Sequence, residues 1–552
     1  MKKFIVFALF TVMMFTGFSQ TDLSKNVKWG ELIPKNKKSS APAVIGQDGQ
    51  YLYLIKYVKR KTYLEKYSIR KLTLEKSLLF ELEYDGKDLN LLDYFMFDGK
   101  PTLYTSCYDK DVSKTYFYIQ TVNPNSLVIS APKKVTEREV EKAKGLKSLM
   151  VTSSVGKYGA SMIRSESGEL GIFWSGKHEL RTHALKKGED VGPTNEYVGA
   201  LYDNELNLMS EIDVTLPYKN FSIMQRRLGE DGVFYLLGYE YELEESDKLL
   251  SNKMYKVAGD FHIVMVDTES GDVESVDVET EEMQIESMKL KLLEKGGMQV
   301  VGLSSTEGVG VSGAFAITFD ASFEEVNNVE HKFESDFITN TWSDRKKKKQ
   351  EKKNKKNNRK GKKPSAPVFY DYYIDYVIEK PDGSTIMLAE QFYIRVVTHT
   401  HTTANGGTYT TTTYYYYYND IIVVNFDKNG DFEWKSLIQK KQTTVNDGGY
   451  YSSYFVVQNE NEVNVIYNDR ESNLDEDADL TKSQMKSLRR KIIGVQVTVD
   501  EEGEQDKGKL FEFDEEVSMK LVPKKCEDAG DGLVFIYAKG KKGNKLGTIT
   551  ID

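Results

Sequence analysis

The stretch DIIVVNFDKNGDFEW, from Asp420 to Trp434, is the most informative part of the sequence about the fold. It contains a short apolar strand that opens and closes with aspartate, a turn with Gly430, and the start of a second strand. The same order recurs at Asp260–Asp267, with Gly271 in the turn, and at Gly313–Asp320. Recurrence of one such unit is typical of a repeat architecture.

Weaker copies of this unit extend over the rest of the 552 residues, and we count eight candidate units, several of them irregular. A small antiparallel sheet cannot bury both faces alone, but copies stacked around an axis do so and leave only short edges. The sequence therefore predicts an all-β protein, a single β-propeller of seven or eight irregular four-stranded blades. We expect one blade to be completed by strands from both ends of the chain.

Only two cysteines occur, Cys107 and Cys526, which is too few for a disulfide framework. Closure of the ring could place them in adjacent blades. We nevertheless predict two free thiols, because nothing in the sequence fixes their separation.

The Asp420–Trp434 stretch resembles the blade signature of secreted bacterial β-propeller repeat proteins, in which an aspartate-capped apolar strand leads to Asp-x-x-Gly and then Trp. The strong match covers one blade, since the other units keep the aspartate and sometimes the glycine but lack the tryptophan. The resemblance implies the fold. It implies little about activity, because propellers host hydrolases, lyases, receptors and scaffolds alike.

The first residues, MKKFIVFALFTVMMFTGFSQ, are typical of a secretory signal. Two lysines precede the apolar stretch Phe4–Phe15, which is too short to span a bilayer, and Gly17 and Ser19 are small residues suited to a cleavage site. We predict a signal peptide at 1–19 and the propeller at 20–552. No later stretch reaches about 18 apolar residues, so no transmembrane segment is predicted. The protein is expected to be exported: periplasmic, outer-surface associated or secreted.

The stretch THTHTTANGGTYTTTTYYYYYNDIIVVNF, at 398–426, predicts a long hairpin. Asn-Gly and Gly-Gly supply the positive φ angles of a tight turn, and the flanks are β-branched or aromatic. We expect strands of about 18 residues, roughly 60 Å long, so that residues 386–426 form a ribbon that projects beyond its blade. With the turn at Asn405-Gly406, His401 would face Thr410.

Five side chains of this ribbon are candidate binding residues: Tyr414, Tyr416, Tyr418, His399 and His401. The three tyrosines share one face, and such a ladder suits sugar rings or an extended partner strand. The alternative is cross-strand pairing with threonine that only stabilises the hairpin. The two histidines also share a face, but a zinc site needs three or four protein ligands and no Cys, Asp or Glu lies at the tip, so no metal is predicted.

A basic insertion at 343–367 interrupts the repeats. Between Arg345 and Lys363 it has 13 basic residues and one acid, a net charge of +12, and because the whole chain carries -9 the remainder carries -21. We predict that this insertion is disordered and could contact a polyanion. It lacks the interleaved aromatic residues of nucleic-acid binding, so no nucleic-acid partner is predicted.

An acidic insertion at 471–491 is expected to contain a short helix at 480–490. Its alternating carboxylates resemble the start of a calcium loop, but Ala478 stands where the turn glycine is expected and Gln484 where a bidentate glutamate is expected. We interpret these acids as complementing the N-terminus of the helix.

Catalytic motifs of fixed spacing are absent: the sequence has no G-x-S-x-G, no P-loop, no H-E-x-x-H and no CxxC. We predict no cofactor and assign no catalytic residue. The expected function is a non-catalytic binding or scaffold propeller that engages a protein or glycan of the cell envelope. The alternative is a propeller-fold hydrolase or lyase acting on polysaccharide or peptide, with carboxylates gathered at the central channel, since such residues would leave no spacing signature.

Overall fold

The structure, a computed structural model, describes residues 23, 26–34, 42–59, 61–139, 160–176, 195–245, 254–306, 308, 310–403, 406–459, 462–474, 492–513, 519–528 and 532–551. The predicted signal peptide and the helix expected at 480–490 lie outside these residues. Most of what is described is β-strand, and the first two strands are β1 (Val27–Trp29) and β2 (Ile33–Pro34).

Antiparallel sheets of four consecutive strands, here called blades, follow one another along the chain. Blade 1 is formed by β3 (Ala43–Gln47), β4 (Tyr51–Val58), β5 (Lys61–Ser68) and β6 (Leu74–Phe80). A small hairpin then intervenes, made of β7 (Glu83–Tyr84) and β8 (Lys87–Asp88). Blade 2 is formed by β9 (Asn90–Phe97), β10 (Lys100–Asp109), β11 (Lys114–Thr121) and β12 (Lys133–Glu139). Blade 3 is formed by β13 (Ser161–Arg164), β14 (Gly171–Gly176), β15 (Glu196–Tyr202) and β16 (Leu208–Thr215).

The next four blades repeat this arrangement. Blade 4 is formed by β17 (Phe221–Leu228), β18 (Val233–Glu245), β19 (Met254–Asp267) and β20 (Val273–Asp277). Blade 5 is formed by β21 (Gln284–Leu292), β22 (Met298–Ser305), β23 (Gly313–Phe319) and β24 (Glu325–Lys332). Blade 6 is formed by β25 (Tyr372–Glu379), β26 (Thr385–Thr402), β27 (Thr408–Phe426) and β28 (Phe432–Ile438), with β29 (Gln442–Val445) added to β27. Blade 7 is formed by β30 (Tyr454–Gln458), β31 (Val463–Arg470), β32 (Ile492–Val499) and β33 (Gln505–Glu512).

Blade 8 combines both ends of the described chain. Its own strands are β34 (Lys520–Leu521), β35 (Glu527–Asp528), β36 (Leu533–Lys539) and β37 (Gly543–Thr550). Strand β1 pairs with β37, with Val27 opposite Ile549, and becomes the outer strand of the blade. The prediction that both ends complete one blade is therefore confirmed.

Hydrophobic clusters fill the space between every pair of neighbouring blades, among the residues that are described. Between blades 3 and 4, for example, the ring centroids of Trp174 and Phe234 lie 4.8 Å apart. The cluster that contains Leu54 and Tyr537 joins blade 1 to blade 8 and closes the ring. The described chain thus forms one all-β propeller of eight blades, each covered on both faces.

The first strand of each blade lies nearest the axis of the ring. Strand β13 contacts β17, β17 contacts β21, and β21 contacts β25, which are all first strands of successive blades. The fourth strands β6 and β16 are largely exposed. Side chains of the first strands therefore surround the centre of the propeller.

The aspartate of the repeated sequence unit has a local structural role. In blade 6 the Asp427 carboxylate accepts hydrogen bonds from the backbone N–H groups of Asn429 and Asp431, both at 2.8 Å, and fixes the turn between β27 and β28. Equivalent aspartates bond the same turn in blades 3, 4, 5 and 7: Asp203, Asp267, Asp320 and Asp500. Aspartate is favoured there because its side chain bonds the backbone two residues on.

The two cysteines are both free, as predicted. Cys107 is buried on β10 of blade 2, whereas Cys526 lies in blade 8. Blade 1 lies between these two blades, so closure of the ring does not place the cysteines in adjacent blades.

The ribbon predicted from the sequence is present, and we define it as residues 392–402 and 408–418. Its pairing runs to Thr402 opposite Thr408, but His401 faces Tyr409 rather than Thr410. The predicted register is wrong by one residue because Thr403 N–H bonds the Gly407 carbonyl at 2.7 Å, which leaves three residues in the loop instead of two. A second long hairpin, β18–β19 in blade 4, was not predicted.

The basic insertion is not disordered over most of its length, which corrects the prediction. Short helix α1 (Ser335–Thr339) is followed by helix α2 (Asp344–Arg359), none of whose residues is buried. The chain after α2 folds back on it, since Gln350 Nε2 donates to the Ser365 carbonyl at 2.6 Å and Ser365 N–H donates to Asn354 Oδ1 at 2.9 Å. These hydrogen bonds stabilise the helix, and charge density alone does not predict them. Among the described helices, none has the length and apolar character needed to cross a bilayer.

Candidate ligand-binding site at the base of the ribbon

A cavity of about 380 Å³ lies where the ribbon leaves blade 6, and we call it the ribbon-base cavity. Aromatic rings form one part of its wall: Trp342, Phe369, Tyr370, Tyr372 and Tyr393. Amide and hydroxyl side chains form another: Thr341, Ser343, Gln391, Asn419 and Gln439. The charged residues of the wall are Asp420, Lys346, Lys440 and Lys441. Apolar rings with a few convergent polar groups are typical of a ligand site.

A β-bulge positions the polar part of this wall. Pairing of β26 with β27 shifts between Glu390 and Phe392, so that Asn419 and Asp420 both lie opposite Gln391. Bulges of this kind bend a strand and redirect its side chains. The bulge marks the change from blade to ribbon, and it directs Gln391, Asn419 and Asp420 into the cavity.

Hydrogen bonds hold these amides in fixed orientations. Asn419 Nδ2 donates to Gln391 Oε1 at 3.0 Å, and Gln391 Nε2 donates to the Tyr370 carbonyl at 2.9 Å. Asn419 is only 8% exposed, and its Oδ1 atom has no hydrogen-bond partner among the described residues. A buried acceptor without a partner costs about 1–3 kcal/mol, so a ligand that donates to it would recover this free energy.

Asp420 is the one acidic residue in the wall. Its Oδ1 accepts from the Lys440 backbone N–H at 3.1 Å, yet burial raises the pKa of its carboxyl to about 6, with the Lys440 bond and the Thr341 hydroxyl acting in the opposite direction. The carboxyl therefore changes charge close to neutral pH, in contact with the cavity.

Lys346 brings the basic helix α2 to the mouth of the same cavity. Its ammonium lies over the Trp342 ring, 3.9 Å from the centroid. Although more than a third of the residue is exposed, partial desolvation of the ammonium lowers its pKa, and the Asp420 charge opposes this effect. The cavity thus has a cationic as well as an anionic wall group.

Two of the aromatic wall residues differ sharply in exposure. Tyr370 is 46% exposed, whereas Tyr372 is buried and its desolvation raises the pKa of the phenol. Tyr393 stacks on Tyr417 across the ribbon, with ring centroids 4.4 Å apart and planes at 11°. Tyr370 is consequently the ring that a ligand reaches most easily.

A buried ion pair supports the cavity from behind. Lys440 Nζ lies 2.5 Å from Glu390 Oε1, and the two side chains are 0% and 3% exposed. Ser453 Oγ of blade 7 donates to the other Glu390 oxygen at 2.7 Å, and Lys440 Nζ also donates to the Tyr418 carbonyl at 3.2 Å. This network joins the base of the ribbon to blade 7.

Three further carboxyls have raised pKa values near the axis, and one of them is Glu379 on β25, where desolvation is the largest cause. On first strand β25, desolvation and the charge of Glu390 raise the pKa of Asp375 to about 6. In blade 8, desolvation raises the pKa of Glu527 to about 7. Such groups can exchange protons near neutral pH, as an acid–base catalyst would require.

The tyrosines proposed from the sequence have different surroundings. Tyr414 is 44% exposed and Tyr416 is half-buried. Tyr418 is buried, because its ring packs on Phe392 at 4.6 Å and its hydroxyl accepts from Lys524 Nζ at 3.2 Å. None of the three lines the cavity.

The two histidines lie on one face of the exposed ribbon, with ring centroids 6.3 Å apart. His401 Nε2 lies 2.8 Å from Thr411 Oγ1, and its ring stacks on Tyr409. Within the described residues, no three His, Cys, Asp or Glu side chains come together to hold a metal ion. Of the calcium-like stretch, Asn473 is described and bonds Asp469 at 2.6 Å, whereas residues 475–479 lie outside the described chain.

The cavity was not predicted from the sequence. Asp420 was noted only as the first residue of a strand, and the aromatic wall around Trp342 and Tyr370 was not considered. One signal was available: the polar pair Asn419-Asp420 separates the tyrosines from the apolar strand and breaks the alternation of side chains, as a bulge does.

No family model matches the chain, and no curated protein matches it. Similar solved structures include prolyl oligopeptidase B from Galerina marginata, at 10% identity and a TM-score of 0.37, with 94% of this chain and 56% of that chain covered. They also include an alpha-L-arabinanase from Penicillium chrysogenum, at 8% identity and 0.29, with 76% and 98% covered. A third is the Synechocystis apocarotenoid oxygenase, at 9% identity and 0.28, with 70% and 74% covered.

The chain spans about half the length of the oligopeptidase, 56% of it. At these identities and TM-scores, the likenesses assign no activity to this chain.

Proposed function

We propose that the protein is an exported, non-catalytic β-propeller of the cell envelope that binds a glycan in the ribbon-base cavity. The observation that carries this proposal is the composition of the wall, in which an exposed tyrosine ring lies beside oriented amides and a single carboxylate. The signal-like stretch before residue 20 and the resemblance of Asp420–Trp434 to secreted bacterial propeller repeats support export.

Sugar chemistry fits this wall. One face of a sugar ring is lined with C–H groups that pack against an aromatic ring such as Tyr370. Its hydroxyls can donate to Asn419 Oδ1 and to the Asp420 carboxylate. Because the amides are already held by hydrogen bonds, little conformational entropy is lost on binding.

The same wall argues against hydrolysis at this cavity. Glycoside hydrolysis in most families uses two carboxyl groups on either side of the scissile bond. The wall contains Asp420 and no second acid, and Glu390 behind it is held by Lys440 and Ser453. The geometry therefore favours binding without turnover.

The alternative, a hydrolase or lyase acting on polysaccharide or peptide at the central channel, is favoured by one specific observation. Asp375 and Glu527 have raised pKa values. Asp375 lies on the first strand of blade 6, and Glu527 lies on β35, which pairs with β36 as the first strand of blade 8 does. The Asp375→Asn and Glu527→Gln variants test it. Hydrolysis of a chromogenic glycoside or peptide panel by the wild type, lost in both variants, would establish this alternative.

The ribbon extends the proposed surface. Tyr414, Tyr416, His399 and His401 would contact a longer glycan or an envelope protein, since all four lie beyond the cavity on exposed or half-buried positions of the hairpin. Tyr418 would act only by fixing the ribbon base, because it is buried.

A glycan array with a matched pair of variants tests the proposal. Tyr370→Ala removes the exposed ring of the wall, whereas Tyr373→Ala removes a ring that is 55% exposed, three residues away, outside the wall. We expect the wild type and Tyr373→Ala to bind the same glycans. The affinity of Tyr370→Ala for these glycans should be at least tenfold lower. Equal binding by all three proteins would contradict a ligand site in the ribbon-base cavity.

A further inference from the structure

Helix α2 presents a concentrated positive charge beside the ribbon-base cavity. Thirteen basic residues lie between Arg345 and Lys363, and none of them forms an ion pair within the described chain. All basic side chains of the helix belong to exposed residues. Apart from the Asp420 charge that acts on Lys346, these charges are therefore open to an anionic partner.

The charge is held in a defined place rather than on a loose chain. Helix α2 is 16 residues long, or about 24 Å at 1.5 Å per residue. Residues after the helix fold back along it through bonds from Gln350 and to Asn354, and Lys353 Nζ donates to Ser365 Oγ at 2.9 Å. At its first turn, Lys346 belongs to the cavity wall.

The rest of the chain carries a net charge of -21, because the basic segment accounts for +12 of a total of -9. A polyanion is repelled by that body and attracted by α2. The attraction is concentrated at one edge of the cavity, so a bound polyanion is directed towards it.

We propose that the ligand of this protein is a polyanionic polysaccharide, with a sugar in the ribbon-base cavity and neighbouring acidic sugars along α2. This inference rests on the proposed function, whose cavity supplies the sugar contact. Carboxylate and sulfate groups are the anions that such a chain can offer to lysine and arginine. Lysine acts here as a point charge that does not require one fixed geometry, which suits a repeating polymer.

Two other polyanions are less suited to helix α2 itself. Nucleic-acid binders add aromatic side chains on which bases stack, and α2 has no aromatic residue. A helix that inserts into an anionic membrane has an apolar face, whereas no residue of α2 is apolar. Both remain as outcomes of the test below.

Polygalacturonate and its methyl ester provide matched probes, because they share a backbone and differ in charge. In the α2 variant, Lys348, Lys352, Lys355 and Arg359 are replaced by glutamine, which preserves helix propensity. The control variant replaces four exposed lysines elsewhere by glutamine: Lys71, Lys76, Lys110 and Lys295. Circular dichroism checks that both variants keep their fold, and calorimetry at several salt concentrations measures binding.

We expect wild type and the control variant to bind polygalacturonate at least tenfold more tightly than the ester, with an affinity that falls as salt rises. The α2 variant should bind both polymers equally weakly. Unchanged polygalacturonate binding by the α2 variant would overturn the inference. The inference would also be overturned if the wild type bound single-stranded DNA or phosphatidylglycerol vesicles as tightly as polygalacturonate, and if Tyr370→Ala bound them equally well.

Tyr370→Ala separates this inference from the proposed function. If Tyr370→Ala binds both polymers more weakly than the wild type, the cavity binds sugar. The α2 variant then tests only the contribution of helix α2. If Tyr370→Ala binds both polymers like the wild type, the proposed function fails, and with it the joint site inferred here. If it weakens both while the α2 variant matches the wild type, the cavity function holds and the polyanion inference alone fails.

Discussion

At the scale of single residues, Asp420 combines a structural and a functional position. It lies at the bulge that separates blade from ribbon, and its carboxyl accepts from the Lys440 backbone N–H at 3.1 Å while facing the cavity. The cost of this partial burial is a pKa raised to about 6. A polar group in this state is suited to a ligand that supplies the missing donors.

The first prediction concerns the pH dependence of glycan binding. Because burial raises the pKa of Asp420 to about 6, the carboxylate is present at pH 7.5 and becomes protonated as the pH falls below 6. Glycan affinity should therefore fall by up to about tenfold between pH 7.5 and pH 5, the value of one hydrogen bond to a charged group. Calorimetry at both pH values measures it.

Asp420→Asn is the control for that titration. The other charged residues of the wall are Lys346, Lys440 and Lys441, and the wall contains no histidine and no second carboxyl. Binding by Asp420→Asn should be weak and nearly independent of pH. If glycan binding by Asp420→Asn keeps the pH dependence of the wild type, a group other than Asp420 is responsible for it.

The second prediction concerns the buried pair of Lys440 and Glu390. Lys440→Met leaves the Glu390 carboxylate buried without its partner, so the free energy of unfolding should fall by about 3–5 kcal/mol. The double variant Lys440→Met/Glu390→Leu should recover much of this loss, because no charge is then buried. Urea denaturation measures both, and a double variant less stable than Lys440→Met would contradict the account.

The turns between strands could be predicted from the sequence, whereas the buried network around Lys440 could not. Asp427 and its equivalents are predictable because an aspartate bonds the backbone within its own turn. Lys440, Glu390 and Ser453 come from distant parts of the chain and meet only after blades 6 and 7 have packed. No spacing rule connects them.

At the scale of elements, the ribbon outgrows its blade because β26 and β27 continue to pair after their sheet partners have ended. Strand β25 pairs with β26 only as far as Gln391, and β29 covers β27 only from Tyr415 to Tyr418. The distal part is exposed on both faces. It therefore contributes little to the stability of the propeller.

The third prediction follows from that exposure. Deleting Val397–Thr413 and joining Val396 to Tyr414 through Asn-Gly keeps the remaining pairing in register, since Val396 lies opposite Tyr414. The free energy of unfolding should change by less than about 1 kcal/mol, because exposed substitutions rarely exceed this amount. Urea denaturation measures the change.

The same deletion tests the function of the ribbon. Glycans bound by the cavity alone should bind unchanged, whereas envelope proteins that use the ribbon should be lost from pull-downs with the shortened protein. A loss of stability above about 3 kcal/mol would show that the ribbon belongs to the folding core.

Strand length and turn type made the ribbon predictable, since an alternating β-branched and aromatic sequence flanks a glycine-rich turn. Its register was not, because the bond from Thr403 to Gly407 decides between a two-residue and a three-residue loop. Helix α2 was missed for a different reason. Charge density argues for disorder, and the stabilising bonds to Ser365 depend on the chain folding back.

At the scale of the whole molecule, the ring is closed by noncovalent contacts between the two ends of the described chain. Strand β1 pairs with β37, and Trp29 packs against Phe511 and Phe513 of blade 7 with ring centroids 5.2 and 4.7 Å away. Without this strand, blade 8 would expose an edge and the cluster between blades 7 and 8 would be incomplete.

The fourth prediction tests this closure. Trp29→Ala should lower the free energy of unfolding by about 3 kcal/mol, the lower end for removing a large aromatic ring, because Trp29 is only partly buried. Trp29→Phe should lose less than half of that amount. Urea denaturation measures both changes. A Trp29→Ala protein as stable as the wild type would mean that closure of the propeller does not depend on the packing of β1.

Repeat counting predicted the propeller and its closure, because each blade reproduces one hydrophobic unit and the stacking of such units is general. The ribbon-base cavity could not be predicted in that way. It exists because one blade departs from the repeat: a bulge, a projecting hairpin and a basic insertion meet at the same edge of blade 6. Irregularities of this kind distinguish one propeller from another.

Glycan binding in the ribbon-base cavity can be observed in a crystal structure of the protein with an oligosaccharide selected on the array. We expect a sugar ring in the ribbon-base cavity, packed on Tyr370 and hydrogen-bonded to Asn419 Oδ1 and Asp420. A sugar found instead at the axis beside Asp375, or only on the distal ribbon, would contradict it.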